Sequence, residues 1–314
     1  MPLWLGDAPV AGKTILLHAE QGLGDTLQFC RYAAEVAALG ATVLLEVPAA
    51  LMRLLAGVGG VSQLIEEGSP LPSFDLHCPL LSLPLAFGTR LETIPGKTPY
   101  LFADAAGVQK WCARVKGGEV KADEAKADEA KQHQAKEHGV NALKVGLVWA
   151  GGHRPHVPEL RKNDARRSIT LQHLSPLLDV PNVQFYSLQM GNAAREVKST
   201  ASIIDFTDDL YDFADTAALI ANLDLVISVD TSTAHLAGAM NSPVWILNRF
   251  DTCWRWLLER DDSPWYPSAT LFRQPSLGDW DSVIAKVRDA LRARAEAHRL
   301  AASAFSIPSQ IPLR

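Results

Sequence analysis

A chain of 314 residues with 47% hydrophobic and 21% charged side chains is long enough for two cores of ordinary size and too apolar for wholesale disorder. Its formal net charge of -5 provides no basic footprint for a phosphate backbone, so nucleic acid is not an expected partner. Cys30, Cys78, Cys112 and Cys253 show neither CxxC nor zinc-ligand spacing and read as reduced thiols of a cytosolic compartment, with no metal site. The opening MPLWLGDAPVAGK lacks a basic segment followed by an apolar stretch. No apolar run approaches the ~18 residues that span a bilayer. The expectation is a cytoplasmic protein with no transmembrane segment, peripheral contact with a membrane being left open.

The first half opens with a buried strand over residues 14–19 (TILLHA), a turn at Gln21-Gly22-Leu23-Gly24 and an amphipathic helix over 26–39 that Gly40 stops. A second strand over 42–47 (TVLLEV), a short helix over 49–55 and strand-like pieces at 61–65 and 74–77 follow. Strands alternating with helices imply βαβ units and a parallel sheet, and residues 1–118 form the first Rossmann-like domain. Residues 121–136 (KADEAKADEAKQHQAK) repeat a five-residue unit with almost no large apolar side chain, which defines a solvated helical linker over 119–142.

The alternation restarts with a strand over 144–150 (KVGLVWA) and the glycines Gly151 and Gly152. Helices are predicted from Thr170 to 178, over 211–222, from Asp230 through 240 and from Trp280 to about 300, the last capped by Asp279. Strands are predicted at 183–188, 225–229 and 243–247. Residues 143–278 make a second doubly wound domain, 279–300 a terminal helix and 301–314 a poorly ordered tail.

Two doubly wound halves bind ligands outside the carboxyl ends of their strands, so the loops there carry the candidates. In Gly22-Leu23-Gly24-Asp25-Thr26 the glycines allow close backbone approach, and Asp25 is either a general base for an acceptor hydroxyl or a helix cap paired with Gln28. In Asp230-Thr231-Ser232-Thr233-Ala234-His235 successive hydroxyl residues open a helix whose free N–H groups and positive dipole end suit a diphosphate, although such residues also cap helices with no ligand. His235 either donates to a phosphate or packs inside the fold. The basic loop 151–168, with Arg161, Lys162, Arg166 and Arg167, would neutralise a leaving nucleoside diphosphate in place of a metal, or is simply solvated. The aromatics Trp254, Trp256, Trp265 and Tyr266 stack on a base or sugar, or fill a domain seam. Phosphate-loop, zinc-helix and nucleophile-elbow motifs are missing from the sequence. A dinucleotide fingerprint built on Gly22, Gly24 and Glu46 is weakened by Leu27 at the third small position and by the charge of Asp25.

In their order, Glu20-Gln21-Gly22-Leu23-Gly24-Asp25-Thr26, then Gly146-Leu147-Val148-Trp149-Ala150-Gly151, Asn163-Asp164, Arg167-Ser168-Ile169 and Ser228-Val229-Asp230-Thr231-Ser232-Thr233-Ala234-His235-Leu236-Ala237-Gly238 resemble glycosyltransferase family 9. More closely they resemble the heptosyltransferase-like domain at the C-terminus of many bacterial tetratricopeptide-repeat proteins. The likeness covers nearly everything outside 121–136 and the tail. It implies an α/β fold of the GT-B type, two Rossmann-like doubly wound domains facing across a cleft. It also implies inverting, metal-independent transfer with no cofactor beyond a nucleotide-diphosphate sugar as co-substrate. The N-terminal domain would hold a glycan, lipid or protein acceptor, and the terminal helix would pack back toward that domain. By position Asp25 becomes the base, with Gln21, Gly22 and Gly24 on the acceptor side. Gly151, Lys162, Arg167, Gln189, Asp230, Thr231, Ser232, Thr233 and His235 become the donor-binding set. Heptosyltransferases carry Asp-Thr-Gly-Leu-Ser-His where this chain has Asp-Thr-Ser-Thr-Ala-His, a departure that bears on the donor sugar, and no tetratricopeptide repeat precedes Trp4. Two other readings stay open: a non-catalytic nucleotide-binding or scaffold domain, and an NAD-dependent oxidoreductase.

Overall fold

The computed structural model describes residues 1–117, 142–152, 158–200 and 202–304. Residues 119–141 of the predicted linker and 305–314 of the predicted tail lie outside them. The first sheet has four parallel strands in the order β3-β2-β1-β4, with β1 Thr14–His18, β2 Thr42–Val47, β3 Gln63–Glu66 and β4 Leu76–Pro79. Each begins and ends within two residues of the sequence expectation. Ile15 and Leu17 of β1, Val43, Leu45 and Val47 of β2 and Cys78 of β4 point to one face and are fully buried there. Leu16, Leu44, Ile65 and Phe74 make a small cluster on the other face.

The helix expected over 26–39 is two helices, α1 Leu23–Phe29 and α2 Tyr32–Ala38. The first begins early because Gly22 serves as its N-cap. The break falls where the Arg31 guanidinium folds back, its Nε donating to the Gln28 carbonyl at 2.8 Å. Short helices α3 Met52–Leu55 and α4 Leu83–Ala86 follow, then α5 Ala105–Gly117, which the sequence did not announce.

The second sheet has six parallel strands in the order β10-β9-β8-β5-β6-β7: β5 Leu143–Val148, β6 Val183–Ser187, β7 Ile203–Asp205, β8 Leu225–Val229, β9 Val244–Asn248 and β10 Ala269–Arg273. The edge strands β7 and β10 add to the four expected. Residues Pro158–Arg167 are a helix, α6, where the sequence suggested a loop, and α7 Ser175–Leu178 continues a short 3-10 turn at Leu171–Leu174. The remaining helices are α8 Phe213–Ile220, α9 Ser232–Ala239 and α10 Trp280–Ala304.

One face of this sheet packs against α10, whose Trp280, Val283, Ile284, Val287, Leu291 and Ala295 join Leu147, Trp149, Phe185, Ile227 and Leu247 in one cluster. The terminal helix thus lies on its own domain, contrary to the expectation that it crosses back to the first one. Its apolar stripe matches the uncovered side of the six-stranded sheet, and Arg294 Nη2 anchors it by donating to the Asp224 carbonyl at 3.0 Å. The other face shares a single core with the first domain. Helix α5 belongs to that shared core: Trp111 is fully buried against Phe206, and Arg114 Nη2 donates to Asp209 Oδ2 at 2.6 Å. The two halves are therefore joined along a packed seam.

Candidate functional site at the domain seam

Chain order reverses between β1 and β4 in the first sheet and between β5 and β8 in the second. At such switch points the loops leaving adjacent strands diverge and open a crevice at the strand C-termini. The loop after β1 holds Gly22 to Asp25, and the loops after β5 and β8 hold Gly151 and Asp230 to Thr233. Topology alone therefore selects three of the loops singled out by sequence.

The seam brings two of them into contact, because α1 packs directly on α9. A Cβ added to Gly24 would sit 2.9 Å from His235 Cδ2 and 3.4 Å from the Ser232 Cα, so only glycine lets the helices approach this closely. Asp25 occupies the third position of α1, and its Oδ2 accepts the Gly22 N–H at 3.0 Å. The capping role foreseen for Asp25 thus runs backward to Gly22, and Gln28 takes no part in it.

Gln28 instead holds Arg255, whose Nε donates to Gln28 Oε1 at 2.7 Å. The same guanidinium donates through Nη2 to Asp25 Oδ1 in an ion pair and through Nη1 to Cys253 Sγ at 3.1 Å, and it stands over the rings of Phe29 and Trp254. Burial opposes its charge, but Asp25, Cys253 and Asp230 outweigh that and hold its proton more firmly than usual. The sequence reading missed Arg255. Its signal was a lone cation inside an aromatic run, Trp254-Arg255-Trp256. Arg31 was missed as well. It is buried across the seam, donating to the carbonyls of Gln28, Pro95 and Trp265 and to the Tyr100 hydroxyl, with the Tyr100 ring 4.3 Å away.

In the second half, Thr231 is the N-cap of α9, and no side chain caps that helix. Its hydroxyl pairs with Ser228 Oγ at 2.9 Å. The first-turn N–H groups, those of Ser232 and Thr233, have no intrahelical acceptor, so this end has the chemistry to receive an anion. His235 is buried, stacks on Trp256 at 5.3 Å, faces Tyr266 Oη at 2.9 Å through Nδ1 and lies 3.7 Å from Asp230 Oδ1 through Nε2. Burial first, then Arg255, Arg31 and Arg167, push its pKa well below the ordinary value, so the ring is neutral. Arg167 fixes the turn from behind: Nη1 donates to the Asp230 carbonyl at 2.7 Å and Nη2 to Asp164 Oδ1 at 2.6 Å. Gly151 is needed beneath it, since a Cβ there would lie 2.6 Å from Arg167 Nε.

Gln189 is buried and fully engaged with backbone, accepting from Trp149 N and Ala150 N and donating to the Ala150 and Met190 carbonyls. It shapes the Gly151 loop and offers no free atom to a ligand. Lys162 and Gln21 are exposed, and the Arg161 side chain lies outside the described residues. Arg166 reaches Asp251 at 2.8 Å. Of the aromatics, Trp256, Trp265 and Tyr266 fill the seam, and Trp254 remains half-exposed while stacking on Phe29. In the rival dinucleotide arrangement the start of α1 would receive a pyrophosphate, but Asp25 already occupies the Gly22 N–H and Gly24 abuts His235. Among the described residues no helix is long and apolar enough to cross a membrane.

Two parallel, doubly wound sheets meeting at their switch points define a fold of the GT-B type. It is shared with a glycosyl transferase family 9 protein of Veillonella parvula, with a TM-score of 0.57 at 9% identity over 92% of this chain and 99% of that one. It is shared also with the ADP-heptose lipopolysaccharide heptosyltransferase II of E. coli, with a TM-score of 0.50 at 13% identity over 90% and 99% of the two chains. At the level of sequence, the family model described as Glycosyltransferase family 9 (heptosyltransferase) matches residues 211–249, the stretch that carries the Asp230 to His235 turn. Protein FlbA of Caulobacter vibrioides is 26% identical over 92% of this chain, which spans about half of that protein, 48%.

Proposed function

We propose that this chain is a cytoplasmic inverting glycosyltransferase that moves a sugar from a nucleotide-diphosphate donor to an acceptor hydroxyl on a glycan, lipid or protein, without a metal. The observation that supports it best is the packing of α1, which carries Asp25, against the uncapped start of α9, one on each half of the molecule. In the reaction the acceptor oxygen attacks the anomeric carbon from the face opposite the diphosphate. Its proton passes to the Asp25 carboxylate, and the bond from the anomeric carbon to the phosphate oxygen breaks with its electron pair leaving on the diphosphate. The Ser232 and Thr233 amides and the nearby guanidinium groups would receive that charge, the part a metal plays elsewhere. The test is transfer assayed with a panel of ADP-, UDP- and GDP-sugars, ADP-heptose included because the E. coli neighbour is named for it. Turnover should vanish in Asp25→Ala while nucleotide binding persists; a variant that still turns over removes Asp25 from the role of base.

A second reading has its own support. Both carboxylate oxygens of Asp25 are engaged and Gly24 touches His235, as suits a domain that binds a nucleotide or scaffolds partners without chemistry. A nucleotide at ~100 times its Kd would raise stability by about 2.7 kcal/mol. A thermal shift of that size, with no transfer or hydrolysis from any donor, selects this reading.

A further inference from the structure

Arg255 links the two halves of the site through its charge. Its Nη2 is ion-paired with Asp25 of the first half, it lies close enough to Asp230 of the second to be stabilised by it, and the next residue, Trp256, stacks on His235. Of its other two nitrogens, Nε is on Gln28 and Nη1 on a cysteine sulfur, a weak acceptor. The segment that carries it has two non-glycine residues in left-handed backbone conformation, Leu257 at φ 53 and Glu259 at φ 55. Such residues cluster where a loop is held against its local preference. Both Asp25 oxygens are engaged, one by this guanidinium and one by the Gly22 N–H, so an acceptor hydroxyl finds neither open, and a diphosphate is a stronger partner for the guanidinium than one carboxylate.

We propose that Arg255 is a shared cation, paired with Asp25 while the donor site is empty and passed to the donor's diphosphate when it fills, so that Asp25 is freed as a base only once donor is bound. This rests on the transferase reading above and adds a coupling to it. Donor would bind first and acceptor activation would follow.

The exchange makes a prediction that a purely structural ion pair does not: removing the carboxylate should improve anion binding. Titration of pyrophosphate, ADP, UDP and GDP into the intact protein by calorimetry, with folding checked by circular dichroism, reads it directly. Asp25→Asn should bind the preferred diphosphate about threefold to tenfold more tightly than the parent chain, because Arg255 no longer has a charged competitor. Arg255→Gln should weaken that binding roughly 10- to 100-fold, and Arg255→Lys should recover part of it. If Arg255→Gln fails to fold, Asp25→Asn alone decides. Unchanged or weaker binding in Asp25→Asn overturns the exchange and leaves the transferase reading standing. A parent chain that binds none of the four probes and transfers no sugar overturns both.

Discussion

The two strand-to-helix turns that meet at the seam have the same topology and opposite chemistry. Both follow a central parallel strand at a switch point, β1 in one sheet and β8 in the other, and both open a short helix. At the start of α1 an acidic residue reaches back to the N-cap amide, so that the positive end of the helix is already matched by the protein's own charge. At the start of α9 no side chain does this. In the first turn the carboxylate takes the N-cap amide, and in the second the Asp230 carboxylate lies beside His235 instead, which on the proposed reading divides base and anion seat between the halves. The aromatic segment after β9 then provides the cation between them.

The largest effect that would break this division is on chemistry. Asp25→Ala should lower transfer by about 10²- to 10⁴-fold, the usual contribution of a positioned general base, with nucleotide affinity not reduced. Steady-state rates together with binding isotherms check it. A parallel loss of both would mean that Asp25 serves the seam and not the reaction.

Next in size is a conversion of one turn into the other. Ser232→Asp places a carboxylate in the first turn of α9, as α1 already has in Asp25. Nucleoside diphosphate affinity should fall about 10- to 100-fold while the helix itself gains ~0.5 kcal/mol from its dipole. Lost affinity with raised or unchanged thermal stability supports the anion seat; equal affinity in parent and variant moves the diphosphate elsewhere.

The seam itself gives a smaller test. Helix propensity alone favours alanine over glycine at position 24 by about 1 kcal/mol. The 2.9 Å approach to a ring held by Trp256, Tyr266 and Asp230 opposes it, and overpacking of this kind costs about 1–3 kcal/mol. Gly24→Ala should therefore be net destabilising by about 1 kcal/mol in urea unfolding. In a His235→Ala background the same change should turn stabilising. Additive behaviour in that cycle would show that the two helices are not in contact in solution.

Periodicity made the central strands legible, because Ile15, Leu17, Val43, Leu45 and the runs at β5 and β8 are apolar whichever sheet order they adopt. The glycine and hydroxyl turns were legible for a similar reason, since their backbone chemistry is local. What local pattern could not reveal is anything fixed by the partner domain. Helix α5 carries Val108, Trp111 and Val115 at helical spacing, but the surface they meet, Phe206 included, lies in the other half of the chain. Gln28 reads as a capping residue until Arg255, far along the chain, claims its oxygen. The family resemblance put the terminal helix on the first half; its stripe of Val283, Val287 and Leu291 is compatible with any apolar sheet face, and only the free side of the second sheet decides.

The last test concerns the ring that seals the contact. His235 is neutral because burial, followed by Arg255, Arg31 and Arg167, depresses its pKa from 6.5. For a histidine depressed in the folded state, the unfolded chain takes up the proton first. Its contribution to stability is complete above pH 6.5 and declines as the pH falls below that value toward the lower native pKa. The slope approaches about 1.4 kcal/mol per pH unit for one such group. Urea midpoints measured from about pH 7.5 down to about pH 5.5 should fall more steeply in the parent than in His235→Gln, which keeps a hydrogen-bonding group for Tyr266 but does not titrate. Parallel curves would mean that protons reach the ring in the native protein, and hence that α1 and α9 part readily enough to admit a ligand between them.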